Sequence, residues 1–89
     1  MNPDFELHIY HMEDCGLCTE QLRILKRWSV FVTIRTVDVN KHSDISDKAG
    51  VDATPTLILL HKGFEIRRWI GLTPPAQIQA AVADHILRV

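Results

Sequence analysis

Cysteine is scarce in this chain of 89 residues. There are only two, Cys15 and Cys18, and they sit close together. That excludes the many-bridged framework that staples small secreted domains. An excess of charge is also lacking. Ten Lys and Arg stand against eleven Asp and Glu, the net charge is −1, and the basic residues are scattered. No phosphate-binding face follows, and a nucleic-acid partner is not expected. Long apolar runs are missing too. The longest, TPTLILL, falls far short of the roughly 20 residues of a membrane span. The opening MNPDFEL has neither the basic start nor the apolar stretch of a secretory leader. The expectation is therefore a reducing, cytoplasmic setting without a membrane.

What is present is an ordinary globular balance, 46% apolar and 24% charged residues. One small domain over residues 1–89 is expected, burying ~60–65% of its unfolded surface, so its core should be thin. FELHIYHM (5–12) is rich in strand formers. GLCTEQLRILKRW (16–28) places Cys18, Leu22, Leu25 and Trp28 at helical spacing, with Glu20 early and Arg23, Lys26 and Arg27 late, as the helix dipole favours. VFVTIRTVDV (30–39) is β-branched and predicts a second strand. NKHSD reads as a loop, and ISDKAG as a short helix stopped by Gly50. TLILLHK (56–62) predicts a third strand. Lys62 and Gly63 turn the chain into FEIRRWI (64–70), an edge strand alternating Ile66, Arg68 and Ile70. Thr73 should cap a last helix with Pro74 at its first position and a core face of Ile78, Val82 and Ile86. Two strands around a helix imply a right-handed parallel βαβ unit. With the closing hairpin this predicts an α/β fold, a four-stranded mixed sheet with flanking helices in the order βαβαββα.

The C-x-x-C pair falls where the first strand gives way to the first helix. Three readings compete there. A zinc site needs four ligands in most structural cases. His8 and His11 point to opposite faces of a strand, and His42, His61 and His85 are dispersed. A structural disulfide closing so short a loop would constrain little chain entropy. The redox reading explains the placement. Unpaired N–H groups at a helix start, with the dipole, favour an anion at Cys15 and should bring its thiol below the ordinary value. Cys18, one turn inside, should be more buried and less acidic. Cys15 would then attack a substrate disulfide and Cys18 would resolve the mixed disulfide, with no cofactor. Glu13 and Asp14 oppose the thiolate, though solvent screens them. They read either as solvated loop residues or as a device against acidic partners.

Thr54-Pro55-Thr56 opens the third strand, a position that tolerates proline. Beside an earlier C-x-x-C, it makes the chain resemble the thioredoxin superfamily. The resemblance implies a thioredoxin-like fold and a cis Thr54-Pro55 bond in a loop facing the cysteines. Thr54 main-chain groups would pair with an extended substrate segment, and Pro55 would fill the place where a metal could otherwise approach the sulfurs. ELHIYHMEDCGLC resembles the opening of small glutaredoxins, among them the glutaredoxin-like electron donors of ribonucleotide reductase. GVDATPTLILLHKGFEIRRWIG is similar to the thioredoxin run of cis-Pro strand, turn, edge strand and glycine. Gly71 matches the family glycine that lets substrate approach, and equally reads as a plain turn residue. Leu17, Thr54, Pro55, Gly71 and Leu72 would form the substrate-binding rim.

What the resemblance implies is a monomeric protein-disulfide oxidoreductase acting on disulfide-containing proteins, with ribonucleotide reductase a candidate client. A thioredoxin-reductase-like enzyme or glutathione would recycle it. The departures matter. Ile9 stands where thioredoxins bury an Asp, which leaves His11 as the nearest titratable group. Asp14 and Leu17 replace the family's Trp and Pro. IGLTPPAQ lacks the Gly-Gly-x-Asp-like glutathione stretch, and the family's N-terminal strand and helix are missing. The rivals are a glutathione-linked glutaredoxin, a non-catalytic binding subunit on the same fold, and a zinc or iron–sulfur carrier.

Overall fold

A computed structural model describes residues 4–27 and 32–88. Within them the elements are β1 (Phe5–His11), α1 (Gly16–Lys26), β2 (Thr33–Asp38), α2 (Ser43–Ala49), β3 (Thr56–His61), β4 (Phe64–Ile70) and α3 (Pro75–Arg88). The sheet order is β2-β1-β3-β4, with β1 parallel to β2 and antiparallel to β3. This is the expected four-stranded mixed sheet.

Strand periodicity divides the sheet into two unlike faces. Phe5, Leu7 and Ile9 on β1 stand beside Leu57 and Leu59 on β3, and all five are buried. Leu25 of α1 and Ile78, Ala81 and Val82 of α3 close over them in one apolar cluster. The alternate residues face α2. There Glu6 pairs with Arg35 at 2.8 Å and with His8 at 2.9 Å, while Tyr10 and Ile58 are the buried apolar members. Burial raises the Tyr10 phenol above its ordinary value. Arg68 ties α2 down, donating to the carbonyls of Ala49 (2.7 Å) and Gly50 (3.3 Å) while held by Glu65. Cationic groups suit a helix C-terminus, where carbonyls lack helical partners.

Lys62 (φ 51°) and Gly63 (φ 86°) form the two-residue connection of β3 and β4. Positive φ at both positions is the type I′ hairpin turn, whose twist matches the strands.

Several expectations need correcting. Gln21, not Leu22, is fully buried on α1, and Leu22 only packs at the cluster's margin. Ile86 is half exposed, because the buried stripe of α3 runs through Ile78, Ala81 and Val82 and ends there. The expected cap at Thr73 is absent: its hydroxyl donates to Gly71 O at 3.0 Å, and α3 starts at Pro75 rather than Pro74. Simple alternation fails on β4. A bulge opposite Leu59 and Leu60 shifts the register, so Ile66 and Trp69 both pack against the cluster while Ile70 is exposed. Helix α2 begins at Ser43, inside the expected loop. Trp28, Val30 and Phe31, assigned from sequence to a helix face and a strand start, lie outside the described residues. Among the described residues no helix is long and apolar enough to cross a membrane.

Candidate active site

The strand register builds the site. Tyr10, Thr56 and Ile70 lie side by side across β1, β3 and β4. The segments beyond them therefore meet at one edge of the sheet: the Cys15 loop after β1, Thr54-Pro55 before β3, and Gly71-Leu72 after β4.

Cys15 is the N-cap of α1, with an extended backbone (φ −107°, ψ 100°), and its Sγ accepts the N–H of Cys18 at 3.2 Å. This is a cap made by sulfur where Ser or Asp oxygens usually serve. Cys15 O accepts Thr19 N–H at 3.1 Å, the first bond of the helix. Cys15 and Cys18 are joined as a disulfide, with Cα atoms 5.2 Å apart. Their surroundings differ. Cys18 is 2% exposed and Cys15 is half-buried at the surface.

Thr54-Pro55 is the cis bond of the chain's described backbone. Thr54 presents two oxygens to Cys15 Sγ, its carbonyl at 3.9 Å and its hydroxyl at 3.8 Å. A disulfide sulfur has no proton to give, so the donor in that pair is the Thr54 hydroxyl. Pro55 is buried, and its carbonyl accepts Gly71 N–H at 2.8 Å. Gly71 has φ 94°, a conformation that side chains disfavour. A Cβ there would meet nothing within 4 Å, so the turn conformation, not crowding, calls for glycine in the free protein. Leu17 on the first turn of α1 (54% exposed) and Leu72 (45%) are the apolar parts of the rim.

One residue that sequence reasoning missed closes this ring. Gln21 is fully buried, donates to Thr73 O at 3.0 Å and accepts Thr73 N–H at 2.6 Å. It fastens the loop carrying Gly71 and Leu72 to the helix carrying both cysteines. Its signal was spacing: 18, 21 and 25 share a helical face, although a glutamine there reads as solvated.

His11, the nearest titratable group expected from the sequence, ends β1 opposite Asp38. Asp38 accepts the N–H groups of Asn40 (2.9 Å) and Lys41 (3.3 Å), and the first of these bonds does most to hold its carboxyl below the usual range. Among the described residues no hydrogen bond joins His11 or Asp38 to either sulfur. Ile9, in place of the family's buried Asp, is wholly inside the apolar cluster. No three His, Cys, Asp or Glu among the described residues are gathered as a metal site. His61 and His85 instead bond to each other at 3.0 Å beside Phe5.

A helix-capping sulfur joined to a buried partner, under a proline loop at a sheet edge, defines the thiol–disulfide oxidoreductases of this fold. Comparison with known proteins narrows the class. The thioredoxin family model matches residues 10–84. Thioredoxin of Chlamydia muridarum is 30% identical over 79 residues, covering 85% of this chain and 78% of that protein. Thioredoxin of Alicyclobacillus acidocaldarius is 28% identical over 74 residues, 79% and 70% of the two chains. The oxidized mitochondrial thioredoxin 3 of Saccharomyces cerevisiae superposes with a TM-score of 0.79 at 26% identity, covering 91% of this chain and 79% of that one. The chain belongs to the thioredoxin family, and with its C-x-x-C pair it is a protein-disulfide oxidoreductase.

Proposed function

We propose that the protein reduces disulfides in client proteins with Cys15 as the attacking sulfur and Cys18 as the resolving one. The observation that carries this assignment is the unequal setting of the two sulfurs. Cys15 caps a helix, accepts an amide proton and is only half-buried at the surface, whereas Cys18 is buried behind it. In the reduced protein the same N–H would stabilise a Cys15 thiolate. That thiolate attacks one client sulfur. A Cys15–client bond forms, the client S–S bond breaks, and the leaving sulfur takes the electron pair and a proton. Cys18 loses its proton and attacks Cys15 Sγ, which restores the internal disulfide and releases the second client thiol. Two electrons have passed to the client.

The Thr54 carbonyl, 3.9 Å from Cys15 Sγ, supports antiparallel pairing with an extended client segment. Leu17 and Leu72 flank it, and Pro55 and Gly71 hold its floor. Water or His11 would carry the Cys18 proton, since among the described residues no buried acid stands by. For the client we propose ribonucleotide reductase among others, on the likeness of ELHIYHMEDCGLC to its glutaredoxin-like donors. For recycling we propose a thioredoxin-reductase-like enzyme ahead of glutathione, because IGLTPPAQ lacks the glutathione stretch. A reducing cytoplasm would keep such a dithiol charged, and a monomer with residues 1–89 as one domain suffices for these steps.

Insulin reduction coupled to either reductant tests this. Cys15→Ser should abolish turnover, and Cys18→Ser should accumulate a mixed disulfide visible by mass. Full activity of Cys15→Ser would refute the assignment and favour a binding subunit.

A further inference from the structure

A pocket of about 230 Å³ opens beside Thr54, which is one of its lining residues. Met12, Val39 and Val51 supply apolar wall, and Asp47 and Asp52 supply carboxylates. The volume is below the ~300–1,000 Å³ of small-molecule sites, which suits one side chain rather than a ligand. Thr54 borders both this pocket and Cys15 Sγ. A client segment paired with Thr54 and joined to Cys15 therefore lays a residue next to its cysteine over the pocket mouth.

No ion pair among the described residues meets the charge of that mouth. Four acids elsewhere do have such a partner: Glu6 with Arg35, Glu20 with Arg23, Glu65 with Arg68, Asp84 with Arg88. Among the described residues neither Asp47 nor Asp52 stands in an ion pair. Arg68 does sense Asp52, but as the smallest of the influences on it, and its guanidinium is already taken by Glu65 and the end of α2. Glu13 and Asp14, exposed beside Cys15, add to the same negative field.

Resting on the oxidoreductase reading, we infer that Asp47 and Asp52 select clients by seating a Lys or Arg side chain adjacent to the client cysteine. The apolar wall covers the side chain's methylene stem, and the carboxylates meet its charged head at the rim. An acidic residue in that place meets the Asp47 and Asp52 carboxylates and is disfavoured.

Three synthetic peptides test this, each joined by one disulfide to a fluorescent thiol. They differ only in Lys, norleucine or Glu beside the cysteine, varied before it in one set and after it in another. In single turnovers of the reduced protein, one set should show Lys ahead of norleucine by about five-fold, with Glu slowest. The D47N/D52N variant should erase that order, and raised salt should compress it. Equal rates in both sets, with insulin still reduced, overturn the inference alone, as does a Lys preference that survives in D47N/D52N. Failure to reduce any peptide or insulin overturns the oxidoreductase reading, and this inference with it.

Discussion

The two faces of the sheet are held by different physics. Against α1 and α3 the strands present Leu7, Ile9, Leu57 and Leu59, each wholly buried, in a continuous apolar cluster. Against α2 they present Glu6, His8 and Arg68 around a smaller buried patch of Tyr10 and Ile58. Burial of apolar area is the larger contribution per residue, whereas partly exposed ion pairs add little. The cysteines ride on the first face and the acidic pocket borders the second. Chemistry that needs two sulfurs held in register thus sits on the stiffer side. Client selection sits where the packing is lighter and an arginine binds the end of a helix of seven residues.

The sharpest way to break this comparison is to hollow the first face. Leu59→Ala removes a fully buried side chain from the centre of the sheet and should cost about 2–5 kcal/mol. Urea unfolding followed by circular dichroism would show the lowered midpoint. The folded fraction should still reduce insulin, since Leu59 touches no part of the sulfur site.

Gln21→Leu comes next. It leaves the Thr73 N–H and carbonyl buried without partners, a loss of about 1–3 kcal/mol. It also unfastens Gly71-Leu72 from α1. A peptide disulfide should then show a raised KM with a smaller change in kcat, a split that destabilisation alone would not produce. An unchanged KM would mean that the clamp serves stability only.

Much of this division was legible beforehand, and the misses are instructive. The alternation of Phe5, Leu7 and Ile9 and the Lys62-Gly63 turn identified their elements because strand period and positive-φ turns are local properties. Cys15 at the head of α1 was legible for the same reason. Gln21 was not, because only the distant Thr73 makes a buried amide tolerable. The β4 alternation was misjudged because a bulge depends on the partner strand. The expected Thr73 cap failed because α3 begins at Pro75, one position later than expected, which leaves Thr73 outside the cap position. Asp47 and Asp52 drew no reading from the sequence, because only the fold sets them beside Thr54.

The smallest effect belongs to the second face, and it separates two contributions of one side chain. Arg68 donates to the Glu65 carboxylate through two bonds of 2.8 Å, and separately to the carbonyls that end α2. The first contribution titrates. The Arg68 hydrogen bonds are the largest cause holding the Glu65 carboxyl below its ordinary value of 4.5. A carboxyl depressed in the folded state stabilises the protein fully above the unfolded value, and that share is lost as pH falls through the folded value. The second contribution involves uncharged carbonyls and persists in acid. Arg68→Gln should therefore cost about 1 kcal/mol near neutrality. The gap to the parent protein should narrow as pH drops below 4.5, leaving the share that anchors α2. Urea midpoints of both proteins across that range measure the two shares. A gap that stays constant with pH would assign the whole effect to the α2 carbonyls. A loss as large as that of Leu59→Ala would show that the two faces are equally load-sharing and would erase the contrast.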